Sequence, residues 1–117
     1  MSNTLMSSML LAVVVLLCAG CNEPRQVATA QAACAVATER VTSERRLPIS
    51  HVAMCDNIAE ADSPDGYYVL AMLAYCKEDV CGSTSMGWFA VEKSTGEVFE
   101  IADVTDWRIG RRIGPGA

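Results

Sequence analysis

Six cysteines and one histidine are the side chains with which this 117-residue chain could do chemistry. Cys18 and Cys21 have the C-x-x-C spacing of metal and thiol redox centres, whereas Cys34, Cys55, Cys76 and Cys81 stand at separations of 21, 21 and 5. A four-cysteine zinc site usually draws on two close pairs, and the last four cysteines supply one. In "CKEDVC", residues 76 to 81, four residues lie between the cysteines, where a dithiol oxidoreductase has two. Any serine or cysteine nucleophile would have to use His51 as its base, and a lone histidine after Ser50 suits a surface better than a catalytic pair. The acids of "EADSPD" and "KEDV" lie in polar, turn-forming stretches. Acid–base catalysis would need a cleft that raises one of their pKa values. The scattered glycines make no phosphate-cradling loop between strand and helix. The pattern predicts a non-enzymatic protein without metal or cofactor.

The surroundings of the first two cysteines give them a different role. Residues 9 to 20, "MLLAVVVLLCAG", form an apolar run of twelve. A helix needs about 20 apolar residues to span a bilayer, so this run has the length of a signal-peptide core. Its end, "CAGC", resembles the lipobox of bacterial lipoproteins, and Ala19, Gly20 and Cys21 fit that pattern. The resemblance implies that residues 1 to 20 are a lipoprotein signal peptide, that Cys18 leaves with it, and that Cys21 carries the lipid as the mature N-terminus. Asn22, rather than Asp, implies by the family's sorting rule an anchor in the outer membrane, with the domain facing the periplasm.

Four cysteines then remain, and an even number in an oxidising compartment reads as two disulfides. Three pairings are possible; a local bridge from Cys76 to Cys81 is favoured, which leaves Cys34 for Cys55. Charge narrows the partners. Residues 56 to 106 hold eleven of the fourteen acids and only Lys77 and Lys93 as bases, within a net charge of -5. Such a surface repels phosphate backbones, so nucleic acid is not the expected ligand.

The elements that would position these groups follow from periodicity. In residues 27 to 46, Val27, Cys34 and Val41 recur every seven residues with Ala30 and Ala37 between them, which predicts a helix with a narrow apolar stripe ended by Pro48. Residues 49 to 63 favour a second helix capped by Ser50, with a strand over 49 to 54 as the competing reading. "SPDG" makes a turn, and residues 67 to 76, apolar on both alternating faces, read as a central strand. Strands at 88 to 92 and 97 to 101 flank the turn "KSTG". The expectation is an α+β domain over residues 27 to 108, with an N-terminal helix and a second helix packed on a three-stranded antiparallel meander sheet. Residues 21 to 26 would be a tether, and residues 109 to 117, rich in glycine, an irregular tail.

"GWFAVEKSTGEVFE", residues 87 to 100, together with "DGYYVLAML", resembles the hairpin region of PepSY-like domains in bacterial envelope proteins. That resemblance implies an inhibitory or binding module. The chain therefore reads as a lipid-anchored periplasmic binding module, with an inhibitory or immunity-type role toward an envelope hydrolase as one form of it; the competing reading is a structural or assembly accessory of an envelope complex. The expected contacts with a protein partner are Lys77, Glu78 and Asp79 in the stapled loop, and Trp107, for which packing on the sheet edge and partner contact stand equal. Trp88 is expected in the hairpin's core.

Overall fold

The computed structural model describes residues 26 to 58 and 60 to 114. The signal-peptide run, the lipobox and Cys21 lie outside the described residues. Thr29 opens helix α1 (Ala30–Arg45) by accepting a hydrogen bond from the Ala32 amide at 3.0 Å, satisfying one of the amides that a helix start leaves unpaired. At the other end Arg46 turns left-handed (φ 57°) and the Leu47 amide donates to the Thr42 carbonyl at 2.9 Å, a Schellman closure. Ala33, Ala37 and Val41 recur every four residues and are fully buried, so α1 meets the sheet along a seam of small side chains. Thr42, also buried there, donates its hydroxyl to the Thr38 carbonyl at 2.6 Å.

Five strands follow: β1 (Val52–Asn57), β2 (Tyr67–Ala74), β3 (Ser85–Glu92), β4 (Val98–Asp103) and β5 (Arg108–Ile113). They lie in sequence order, each antiparallel to the next. Leu70, Met72, Phe89, Val91, Val98 and Ile113 project from one face of this sheet against the α1 seam and form the core with Val27.

Two expectations are corrected. The second helix does not form: Ile49–His51 make one 3₁₀ turn, and Val52–Asn57 become a strand. The deciding term is tertiary. β2 is apolar on both faces and has an open edge, which β1 fills, and Cys55 of β1 then faces α1 and bonds Cys34. The sheet also has five strands rather than three, because β1 and β5 flank the three expected ones. β5 arises from residues assigned to the irregular tail; Ile113 pairs with Val98 and is buried in the core. Gly110, which suggested irregularity, lies in close contact with β4. A Cβ there would stand 3.0 Å from the Glu100 carbonyl oxygen.

Arg111 ties the helix to this last hairpin. Its guanidinium donates to both Glu44 carboxylate oxygens, at 2.7 and 3.3 Å, and to Glu100 Oε1 at 2.9 Å. The Arg111 hydrogen bond holds the Glu44 carboxyl below the usual carboxylate range, and the same contacts hold Arg111 protonated. A carboxyl with a depressed folded pKa stabilises above its unfolded pKa and loses that contribution as pH falls through the folded value. Glu44→Gln should therefore lower the melting temperature slightly at neutral pH. That difference should vanish as pH falls below the ordinary carboxylate range, measured by thermal unfolding at a series of pH values.

Candidate functional site

The end of β2, the stapled loop and the start of β3 enclose a groove against the C-terminal end of α1. Its volume is about 510 Å³, and it is open to solvent along its length. Leu47, Ala74 and Met86 provide apolar floor, while Arg45, His51 and Lys77 line it against one acid, Glu78. Ser83, Thr84 and Ser85 add three consecutive hydroxyls. The groove thus brings two cations, Arg45 and Lys77, together in a chain whose central segment is strongly acidic.

Local structure explains why these groups hold their places. The Tyr75 amide donates to the His51 carbonyl at 3.1 Å and the Ala74 amide to the Thr84 carbonyl at 2.8 Å, which pins both ends of the loop to the sheet. The Cys76–Cys81 disulfide closes the loop, with Cα atoms 6.0 Å apart. Arg45 lies over the buried Phe89 ring at 5.6 Å from its centroid, a cation–π contact that fixes one wall. At the loop tip Val80 is 84% exposed, and Tyr75 and Ile49 at the same end of the molecule are 60% and 62% exposed. Three large apolar side chains around a charged groove match the composition of a protein-contact surface.

The structure divides the residues expected from sequence. Lys77 and Glu78 line the groove; Asp79 stands in the same loop but is not part of the lining. Trp107 is elsewhere, stacked on Trp88 with ring centroids 5.1 Å apart at 53°. Trp88 is half-buried on the sheet face turned away from α1, rather than in the core between helix and sheet. Arg45, His51 and Val80 were not singled out as contacts. Nothing local in the sequence marks Arg45 or His51, since they meet the loop only after β1 pairs with β2, whereas Val80 could have been found as the one apolar residue between Cys76 and Cys81.

The two hairpins after β3 explain Trp107. Four residues, 93 to 96, join Glu92 to Glu97, and four, 104 to 107, join Asp103 to Arg108. In each the fourth residue is left-handed: Gly96 at φ 74° and Trp107 at φ 54°. Glycine adopts this conformation freely, while a side chain there costs about 1–2 kcal/mol. Trp107 accepts that cost in a turn held by Asp103, whose carboxylate accepts from the Thr105 hydroxyl at 2.6 Å and its amide at 2.9 Å. Those two bonds hold the Asp103 carboxyl below its ordinary range.

Among the described residues no cluster of three or more histidine, cysteine, aspartate or glutamate side chains could hold a metal. The carboxyls with displaced pKa values, Glu44 and Asp103, are held ionised, and the phenol of Tyr67 is pushed up by burial and by donating to Glu92 at 3.1 Å.

The Cys34–Cys55 bridge, with Cα atoms 5.9 Å apart, joins α1 to the edge strand β1 across 21 residues. Closing a loop of that length restricts the unfolded chain by roughly 3 kcal/mol. Replacing both cysteines by alanine should lower the unfolding free energy by about that amount in denaturant titration, whereas replacing Cys76 and Cys81 by serine should cost less and loosen the groove's outer wall. Comparison with known protein families, characterised proteins and solved structures returns no match for this chain.

Proposed function

We propose that this chain is a lipid-anchored binding module of the bacterial envelope that recognises a protein partner through the stapled loop and the groove beside it. The observation that carries this reading is the disulfide-closed loop with an apolar tip. Closing the loop lowers the entropy lost on binding, and Val80 supplies contact area at its apex. Two disulfides support an oxidising compartment. The lipobox resemblance supplies the anchor at Cys21. Among the described residues no helix is long and apolar enough to cross a membrane.

The groove's Arg45, His51 and Lys77 fit a partner that presents carboxylates at its contact surface. An inhibitory or immunity-type role toward an envelope hydrolase is the form this binding takes on the PepSY-like resemblance. It requires no catalytic group in the chain itself.

Val80→Asp, at a side chain that is 84% exposed, should leave folding unchanged and weaken capture of the partner from envelope extract by at least about tenfold. Lys77→Glu should weaken it further at low salt than at high salt. Equal recovery by native and Val80→Asp protein would refute the loop as the binding site. Labelling with radioactive palmitate tests the anchor separately: incorporation should disappear in Cys21→Ala, and label retained in that variant would refute lipidation there.

A further inference from the structure

The sheet face turned away from α1 is apolar across its middle, with the Glu92 carboxylate bonded to the Tyr67 hydroxyl at one end, and no helix or strand of the described residues packs on it. Asp56, Ala71 and Trp88 form one row across it, and Val69, Ala90, Phe99 and Arg112 the next. Four of the chain's seven aromatic side chains gather here as two pairs. Tyr67 meets Phe99 edge to face at 6.0 Å across the strand that carries Ala90, and Trp88 meets Trp107 at 5.1 Å. Beneath them Val69 and Ala90 are completely buried, although they lie on the uncovered side. At the margin, Met54 of β1 remains 49% exposed. A tryptophan held in a conformation that the neighbouring hairpin gives to glycine is stored strain, and such strain points to a use for the side chain.

We infer that this face binds the same face of a second copy of the chain, forming a two-layer β-sandwich about a two-fold axis parallel to the strands. Three observations select that occupant. The first is charge: the face is acidic at the β1 margin, where Asp56 is exposed, and basic at the β5 margin, where Arg112 is exposed with its guanidinium 3.5 Å from Glu97 on one side. An axis parallel to the strands lays β1 of each copy over β5 of the other, so each acidic margin meets a basic one. The second is area. Five strands about 4.8 Å apart and about 20 Å long, with their side-chain relief, would bury roughly 1,200 Å² in total when two such faces meet, which reaches the range of specific interfaces.

The third is the placement of the N-terminal ends, and it rests on the anchor proposed above. The Val27 amide donates to the Lys93 carbonyl at 2.8 Å, so the chain leaves the domain beside the β3–β4 turn. A two-fold axis parallel to the strands brings both exits to the same end of the dimer, where two lipids can enter one membrane. An axis across the strands would send them to opposite ends. The groove and stapled loop are built on the α1 side and the end of β2, so each copy keeps its partner site.

Sedimentation velocity of the processed full chain in density-matched detergent, over a range of concentrations, tests the interface. The native protein should show a reversible monomer–dimer equilibrium. Ala71→Arg, a charge placed in the middle of the face, should raise the dimer dissociation constant at least about tenfold. Trp107→Gly should do likewise while melting no lower than the loss of one stacked ring predicts, because glycine suits that backbone position. Asp56→Arg and Arg112→Asp should each weaken the dimer, and the two together should restore it. A native protein that stays monomeric at every concentration overturns the proposal, whether the face is covered by residues 9 to 20, by another protein or by nothing. A dimer indifferent to Ala71→Arg also overturns it, and a double reversal no better than the single ones overturns the paired margins. None of these outcomes depends on palmitate incorporation or on capture through Val80, so failure of the dimer and failure of the binding-module reading are told apart.

Discussion

A single sixteen-residue helix has to cover a five-stranded sheet, and the way it does so sets the rest of the molecule. A helix is about 10 Å across, while five strands span more than twice that width, so one helix shields one face at most. Ala33 and Ala37 let α1 come close enough for Phe89, Leu70 and Met72 to fill the space beneath it. With larger residues in the seam the helix would ride higher and leave voids along the flanks, which cost stability because interiors are close-packed. The Cys34–Cys55 bridge fixes the helix toward the β1 side, and the Arg111–Glu44–Glu100 contacts fix its C-terminal end toward β5.

That placement creates the groove. The C-terminal turn of α1 delivers Arg45 and Leu47 to the same end of the sheet at which β2 runs into the stapled loop, and the turn before β1 adds His51. Three separate stretches of chain therefore contribute to one surface. Three of the eleven acids in the central segment are engaged elsewhere: Glu92 with Tyr67 and Thr95, Glu97 with Arg112, Glu100 with Arg111. What a count of charges presents as a negative protein is in three dimensions a molecule whose groove holds Arg45 and Lys77 against the single acid Glu78.

The three central strands were legible because their signals are local. Residues 67 to 76 are apolar on both alternating faces, and the turn "KSTG" ends in a glycine that adopts the positive φ such a loop requires. The outer strands were not legible for a reason of the same kind. Val52–Asn57 carries residues compatible with helix or strand, and the choice falls to strand only because β2 has an edge to fill and Cys55 has Cys34 to reach. Gly110 read as a break, since glycine weakens both helix and strand in isolation; it suits this position because a Cβ there would crowd the main chain of β4 at 3.0 Å from the Glu100 carbonyl oxygen. Lys77 and Glu78 could be nominated from the loop's spacing, whereas Arg45 and His51 acquire a role only through contacts with residues far along the chain.

The sequence by itself determined the helix over Ala30–Arg45, the strands β2, β3 and β4, and the presence of four cysteines with a local pair among them. Propensity, alternation and turn chemistry act over a few residues and can be read over a few residues. Only the assembled fold shows that β1 and β5 exist, that Trp107 stacks on Trp88, and that one sheet face lies opposite the helix. Each of those outcomes depends on pairing between distant segments, where the gain from burial and hydrogen bonding overrides preferences worth a fraction of a kilocalorie per residue.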